Sequence, residues 1–205
     1  MNTEILFTFI STVALLAISP GPDNIFVLMQ SVVYGKKYGL ATVVGLMTGC
    51  IVHTTLVAFG VSVVIKENES IFLGIKIAGA VYLLYLAYKV FKSSSDIVVN
   101  SNNIQKKTLL QLFKIGFTMN VLNPKVTIFF LALFPGFLFS NTLSSIAQFY
   151  VLGGLFIITS FIIFSSIALL GGSISDQIKT NKNLGVWLKW LQIFVFIGIA
   201  VFILV

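Results

Sequence analysis

One carboxylate, two lysines and one histidine in this chain stand inside runs of apolar residues, and any chemistry has to start from them. Asp23 and Asn24 follow Pro20-Gly21-Pro22 in the middle of the apolar run Ile5 to Val33. Lys125 follows Asn120, Asn123 and Pro124 in a second such run. His53 and Lys76 each occupy a further one. A spanning helix needs ~20 apolar residues, so these runs are predicted to cross a bilayer. An ionisable group at the centre of such a span costs roughly 2.5–3.5 kcal/mol on insertion scales and needs a local reason.

Each group has a structural reading and a functional one. With Pro22 at the first helical position, Asp23 and Asn24 fall in a first turn, where their side chains can satisfy backbone N–H groups. Capping alone needs no charge, so Asp23 is also a candidate for binding a cation or carrying a proton. Gln30, seven residues on, lies on the same helix side and extends a polar line. Lys125 is too deep to snorkel easily to an interface. It is expected either to pair with Asp23 or to form an anion site for a carboxylate. His53 follows Gly45 and Gly49 at intervals of four, a small-residue face suited to close helix contact. It can hydrogen-bond across that contact or, titrating near neutral pH, relay protons. Lys76 lies about one turn inside its span and is expected to snorkel outward.

The elements that position these groups follow from the prolines. Pro20 and Pro22 lack N–H groups, so the carbonyls of Leu16 and Ile18 lose their helical donors. Pro124 does the same to Asn120. Unwound backbone at membrane depth is tolerated only where protein buries it or a watery cavity solvates it. Both breaks are therefore candidate parts of a transport path, the first built from Pro20, Gly21, Pro22, Asp23 and Asn24, the second from Asn120, Asn123, Pro124 and Lys125.

Composition sets the class. The chain is 58% hydrophobic and 9% charged, too few charges to solvate the surface of a soluble domain. Six spans are predicted, at about 5–33 (broken), 39–65, 71–91, 109–139 (interrupted), 145–172 and 186–205. The expected fold is thus an all-α integral membrane protein forming one transporter domain over 1–205. The polar stretch 93–108 divides it into a first three-helix unit, 1–92, and a second, 109–205. Three is odd, so the second unit enters from the opposite side. With the first helix of each broken, two inverted repeats are expected.

The net charge of +7 rests on 13 lysines and no arginine. They lie mostly between the apolar runs, which points to membrane topology and not to nucleic acid. Ten lie in the first, third and fifth loops or the span ends beside them, against Lys66 on the other side. That places the odd loops in the cytoplasm and both termini outside. No lysine precedes Lys36 and the first run continues past its break, so a cleaved signal peptide is not expected. The single cysteine, Cys50, excludes an internal disulfide and a multi-cysteine metal site. There is no HExxH motif, no Walker A motif and no pair of intramembrane aspartates. Neither an enzyme nor a cofactor or metal is expected.

At this point a resemblance can be stated. The strings SPGPDNIFVL, YGKKYGLATVVG with LMTGCIVH, KIAGAVYLLYLAYK and GFTMNVLNPKVTIFFLALFP resemble the lysine exporter family, the LysE/RhtB-type translocators. The resemblance covers nearly the whole chain, although from Asn141 onward it rests on hydropathy. It implies a six-span exporter of the cytoplasmic membrane for amino acids, such as basic ones, homoserine, threonine or leucine, driven by protons. It marks Pro20, Gly21, Pro22, Asn123, Pro124 and Lys125; position 23 is Asn or Asp in the family, and His53 and Lys76 match polar positions. The expected function is secondary export of an amino acid or a closely related zwitterion. The alternative is an exporter or channel for a simple cation, a metal ion included. The close-packing Gly45 and Gly49 face also suits a homodimer contact.

Overall fold

The computed structural model describes residues 2–62, 69–94, 106–171, 173–174 and 182–204. These residues form helices and no strand. The helices are α1 (Thr3–Ile18), α2 (Pro22–Tyr34), α3 (Lys36–Leu56), α4 (Glu69–Lys92), α5 (Leu109–Val121), α6 (Pro124–Ile128), α7 (Ser145–Leu169) and α8 (Lys182–Leu204). A π-helical turn, Val57–Val61, continues α3. A second, Phe129–Leu133, and a 3-10 turn, Phe134–Phe137, continue α6.

Among the described residues four helices are long and apolar enough to cross a bilayer: Lys36–Val61, Ser70–Lys92, Ser145–Leu169 and Gly185–Leu204. The two remaining predicted spans are bent pairs. α1 meets α2 at 60°, and α5 meets the segment from Pro124 to Phe137 at 49°. Counting each pair as one span gives six, and both bends fall at the prolines that remove helical donors. The loop residues 95–105, most of the predicted divide between the two units, lie outside the described residues, as do Lys66 and Lys179.

Helix starts are written locally. Asn2 caps α1 by accepting from the Glu4 N–H at 3.0 Å. Thr108 and Gln111 form a reciprocal capping box on α5. Ser144 caps α7. Between α2 and α3 a single residue, Gly35, reverses the chain at φ 98°, a conformation that suits glycine.

The closest packing is α3 against α5. A Cβ on Gly45 would collide with the Phe113 carbonyl, and one on Gly116 with the Thr42 carbonyl. On Gly49 it would stand 2.6 Å from Asn120 Oδ1. The small-residue face read from Gly45 and Gly49 is therefore a contact within the chain. We expect Gly116→Leu to destabilise the detergent-solubilised protein by at least 3 °C in thermal melting, since overpacking a tight contact costs ~1–3 kcal/mol. Gly154→Ala on α7, where a Cβ meets nothing within 4 Å, should leave the melting temperature unchanged or raise it.

Candidate functional site

The two proline breaks meet. Asn123 Nδ2 donates to Asp23 Oδ2 at 2.8 Å. The other end of the same carboxamide, Oδ1, accepts from the Lys125 backbone N–H at 3.0 Å and caps α6. One side chain thus starts the second half-helix and holds the carboxylate of the first break.

Each break also has a carbonyl left without its helical donor, and a side chain takes it. Asn24 Nδ2 donates to the Ala17 carbonyl at 2.7 Å. The cap of α2 is Gly21, which offers no side-chain bond. The expectation that Asp23 and Asn24 cap N–H groups is corrected accordingly: the carbonyl end of α1 needs the donor, and Asp23 is turned to Asn123. At the second break the Asn120 carbonyl, which Pro124 deprives of its donor four residues on, accepts from the Asn123 N–H at 3.0 Å, and His53 Nε2 lies 3.1 Å from it as well. The cross-helix reading of His53 is what the geometry shows. A carbonyl can only accept, so Nε2 carries the proton.

Lys125 does not hydrogen-bond Asp23, whose carboxylate accepts from Asn123 instead. Its ammonium stands 5.0 Å from the centroid of the Phe196 ring on α8, within the range of a cation–π contact. It lies beside the first break as well, 4.0 Å from where a Gly21 Cβ would stand. Lys125 and Asp23 therefore border one space without neutralising each other through a direct bond.

That space is a cavity of about 1010 Å³. Pro20, Gly21, Pro22, Asp23, Asn24, Gln30, Asn120, Asn123, Pro124 and Lys125 all line it. His53 and Lys76 do not. His53 is buried behind the second break, against the Phe130 ring. Lys76 is half-buried on α4. Ser160, Gln192, Phe156, Phe164 and Phe196 complete the wall. Sequence reasoning passed over these. Ser160 and Gln192 are isolated polar residues in apolar runs and could have been marked. Nothing local distinguishes Phe196 among 20 phenylalanines.

The cavity is one-sided. On α1 its lining begins only at Leu16, and on α6 it ends at Val126. On α4 it follows one helical stripe, Tyr82, Leu86, Lys89 and Ser93, to the end of the helix. There Lys189 of α8 donates to the Ser93 carbonyl at 2.7 Å. The opposite side is filled by aromatic rings. Phe130 stacks on Phe134 at 4.1 Å, and Phe9 meets Phe134 and Phe137 edge-on at 5.2 and 5.1 Å. Phe129 and Phe156 pack onto the same group. A cation and an anion on the wall of a mainly apolar, one-sided cavity can hold the two charged ends of a small zwitterion.

The chain is 30% identical over 184 residues to the homoserine/homoserine lactone efflux protein of Salmonella typhimurium, covering 90% of this chain and 88% of that protein. It is 26% identical over 193 residues to the leucine efflux protein of Klebsiella pneumoniae, covering 94% and 91%. It is 32% identical over 144 residues to the membrane protein YrhP of Bacillus subtilis, covering 66% and 69%. No solved structure matches it. The family described as LysE type translocator matches residues 14–205. With that match across all but the first turns of α1, this chain, a helical membrane protein and not an enzyme, belongs to the LysE type translocator family.

Proposed function

We propose that this chain exports a small amino acid across the cytoplasmic membrane by a secondary, proton-driven mechanism. The observation that carries the reading is the meeting of two broken spans at one cavity, with Asp23 and Lys125 on its wall and Asn123 between them. In this mechanism Asp23 meets the substrate ammonium and Lys125 its carboxylate. The relatives named for efflux of homoserine and of leucine support a substrate with an uncharged side chain, because one acid and one lysine balance one zwitterion.

The helix pairing supports two inverted repeats that move against each other. α3 packs on α5, and α7 packs on α1; α3 also meets α7, and α4 meets α8. Exchanging the two halves turns these four pairings into themselves, as an inverted-repeat transporter requires; the packing of α2 on α3 and on α7 has no counterpart of similar extent among the described residues. His53 holds the second break in shape.

The positive-inside rule puts Lys36, Lys89 and Lys106 in the cytoplasm and both termini outside. Lys106 lies 5.8 Å from the centroid of the Tyr38 ring, which places both ends on one face. The cavity, running to Lys89 and Ser93, is then open inward. Cysteines introduced at Lys36 and Lys106 should resist an impermeant thiol reagent in intact cells and react in inverted vesicles. The native Cys50 is buried and should give little background. Labelling of both from outside would overturn the orientation.

Function itself is tested by flux into inverted vesicles. A panel of radiolabelled amino acids should accumulate only when a proton gradient is imposed, and the signal should vanish with an uncoupler. Accumulation of simple cations in place of amino acids would defeat the reading.

A further inference from the structure

Two almost fully buried polar side chains on the cavity wall have no hydrogen-bond partner among the described residues. Gln30 on α2 is 1% exposed, lines the cavity, and its Oε1 has no hydrogen bond. Ser160 on α7 is 2% exposed and lines the same cavity. Several other hydroxyls in these helices bond back to the carbonyl four residues earlier. Ser166 does so to Ile162 at 2.8 Å, and Thr54 to Cys50 at 2.8 Å, although the buried Ser31 and Ser165 hydroxyls do not. Ser160 makes no such bond. What sets Gln30 and Ser160 apart is that both line the cavity. Leaving a buried polar group unpaired costs ~1–3 kcal/mol, and a leucine or alanine at these positions would avoid that cost. Both open onto the cavity, so a partner for them can arrive through it.

Position says which part of a ligand they would meet. Gln30 lies seven residues beyond Asp23 on the same helix face, about 10 Å along the axis at 1.5 Å per residue. Its side chain leans back toward the helix N-terminus and shortens that gap. α2 and α7 pack together, so Gln30 and Ser160 face the cavity from adjacent helices. A ligand whose charged head is held at Asp23 and Lys125 would meet Gln30 with the far end of its side chain, and Ser160 opens onto the same cavity.

We propose that Gln30 and Ser160 form a subsite that reads the ligand's side chain, favouring one that ends in a hydrogen-bonding group over an apolar isostere. The proposal rests on the amino-acid reading above and adds the residues that set its specificity. A site built to hydrogen-bond a ligand hydroxyl disfavours the analogue without it, because its own polar groups are then left unpaired. Apolar residues at the same two positions would reverse the preference.

The test compares efflux of homoserine with that of norvaline, which has a methyl group where homoserine has its hydroxyl. The wild-type chain should favour homoserine. Gln30→Met and Ser160→Ala should each lower the homoserine-to-norvaline ratio at least threefold, and the double variant at least tenfold. Ser160→Thr, which keeps the hydroxyl, should hold the wild-type ratio. A ratio of fluxes is independent of how much protein inserts, and the two single variants are read separately. A ratio within twofold of wild type in both single variants would overturn the subsite, leaving the exporter reading intact. Transport of neither compound by the wild-type chain would overturn both.

Discussion

Lys125→Met inserts into the membrane as well as the wild-type chain and loses export by at least tenfold. Removing the charge removes an insertion cost of roughly 2.5–3.5 kcal/mol, so the amount of protein should not fall. What disappears is the one cation bordering the cavity at the level of the breaks. If Lys125 served only to balance Asp23, adding Asp23→Asn should restore both stability and efflux. The geometry argues otherwise, because Asp23 already has its hydrogen bond from Asn123. The double variant Asp23→Asn with Lys125→Met is therefore expected to be stable and still inactive. Restored amino-acid efflux from it, at matched protein levels, would reduce Lys125 to a counter-ion.

The second large effect is expected at the bridge between the breaks. Asn123→Asp keeps the cap on the Lys125 N–H but turns a donor into an acceptor opposite Asp23. Two carboxylates at the present 2.8 Å cannot both stay ionised without repelling. We expect a loss of about 2 kcal/mol or more in stability, because a charged acceptor loses its donor, together with loss of export. Exchanging the pair, Asp23→Asn with Asn123→Asp, puts a donor opposite an acceptor again. The exchanged protein should melt within about 1 °C of wild type, whereas Asn123→Asp alone melts at least 4 °C lower. Equal melting of the single and exchanged variants would show that the bond between the breaks contributes nothing to holding them together.

The spans and their two interruptions were legible in the sequence because apolar length and missing N–H groups act locally. Pro22 and Pro124 do sit at the first helical positions of α2 and α6, where their fixed φ is an advantage. The close contact at Gly45 and Gly49 was legible from spacing alone. What could not be read was partnership across the chain. Asn123 and Asp23 are 100 residues apart, and His53 and the Asn120 carbonyl 67. Each pair depends on which helix packs against which. Of the two readings of Lys125, a direct hydrogen bond to Asp23 is not the one formed, for the same reason. Opposite charge proposes a partner, but a neutral carboxamide stood closer. The phenylalanine wall was hidden for a different reason: in a chain this apolar, one more aromatic residue carries no signal.

The one-sided aromatic packing has a consequence for leakage. Burying a phenylalanine side chain is worth ~1.5–3 kcal/mol. Phe9, Phe129, Phe130, Phe134 and Phe137 are each at most 1% exposed. Wetting all five at once would cost about 7–15 kcal/mol by that measure, so water does not open this side unaided. A passage can form there only if the rings find new apolar neighbours as they part. The cavity wall offers such neighbours in Phe164 and Phe196, and rings that fold onto that wall would shut the side that is now open. The surface that seals one face is the material needed to seal the other. A state open to both faces at once would have to leave it in water, and the cost of doing so keeps an ion gradient from draining through the protein.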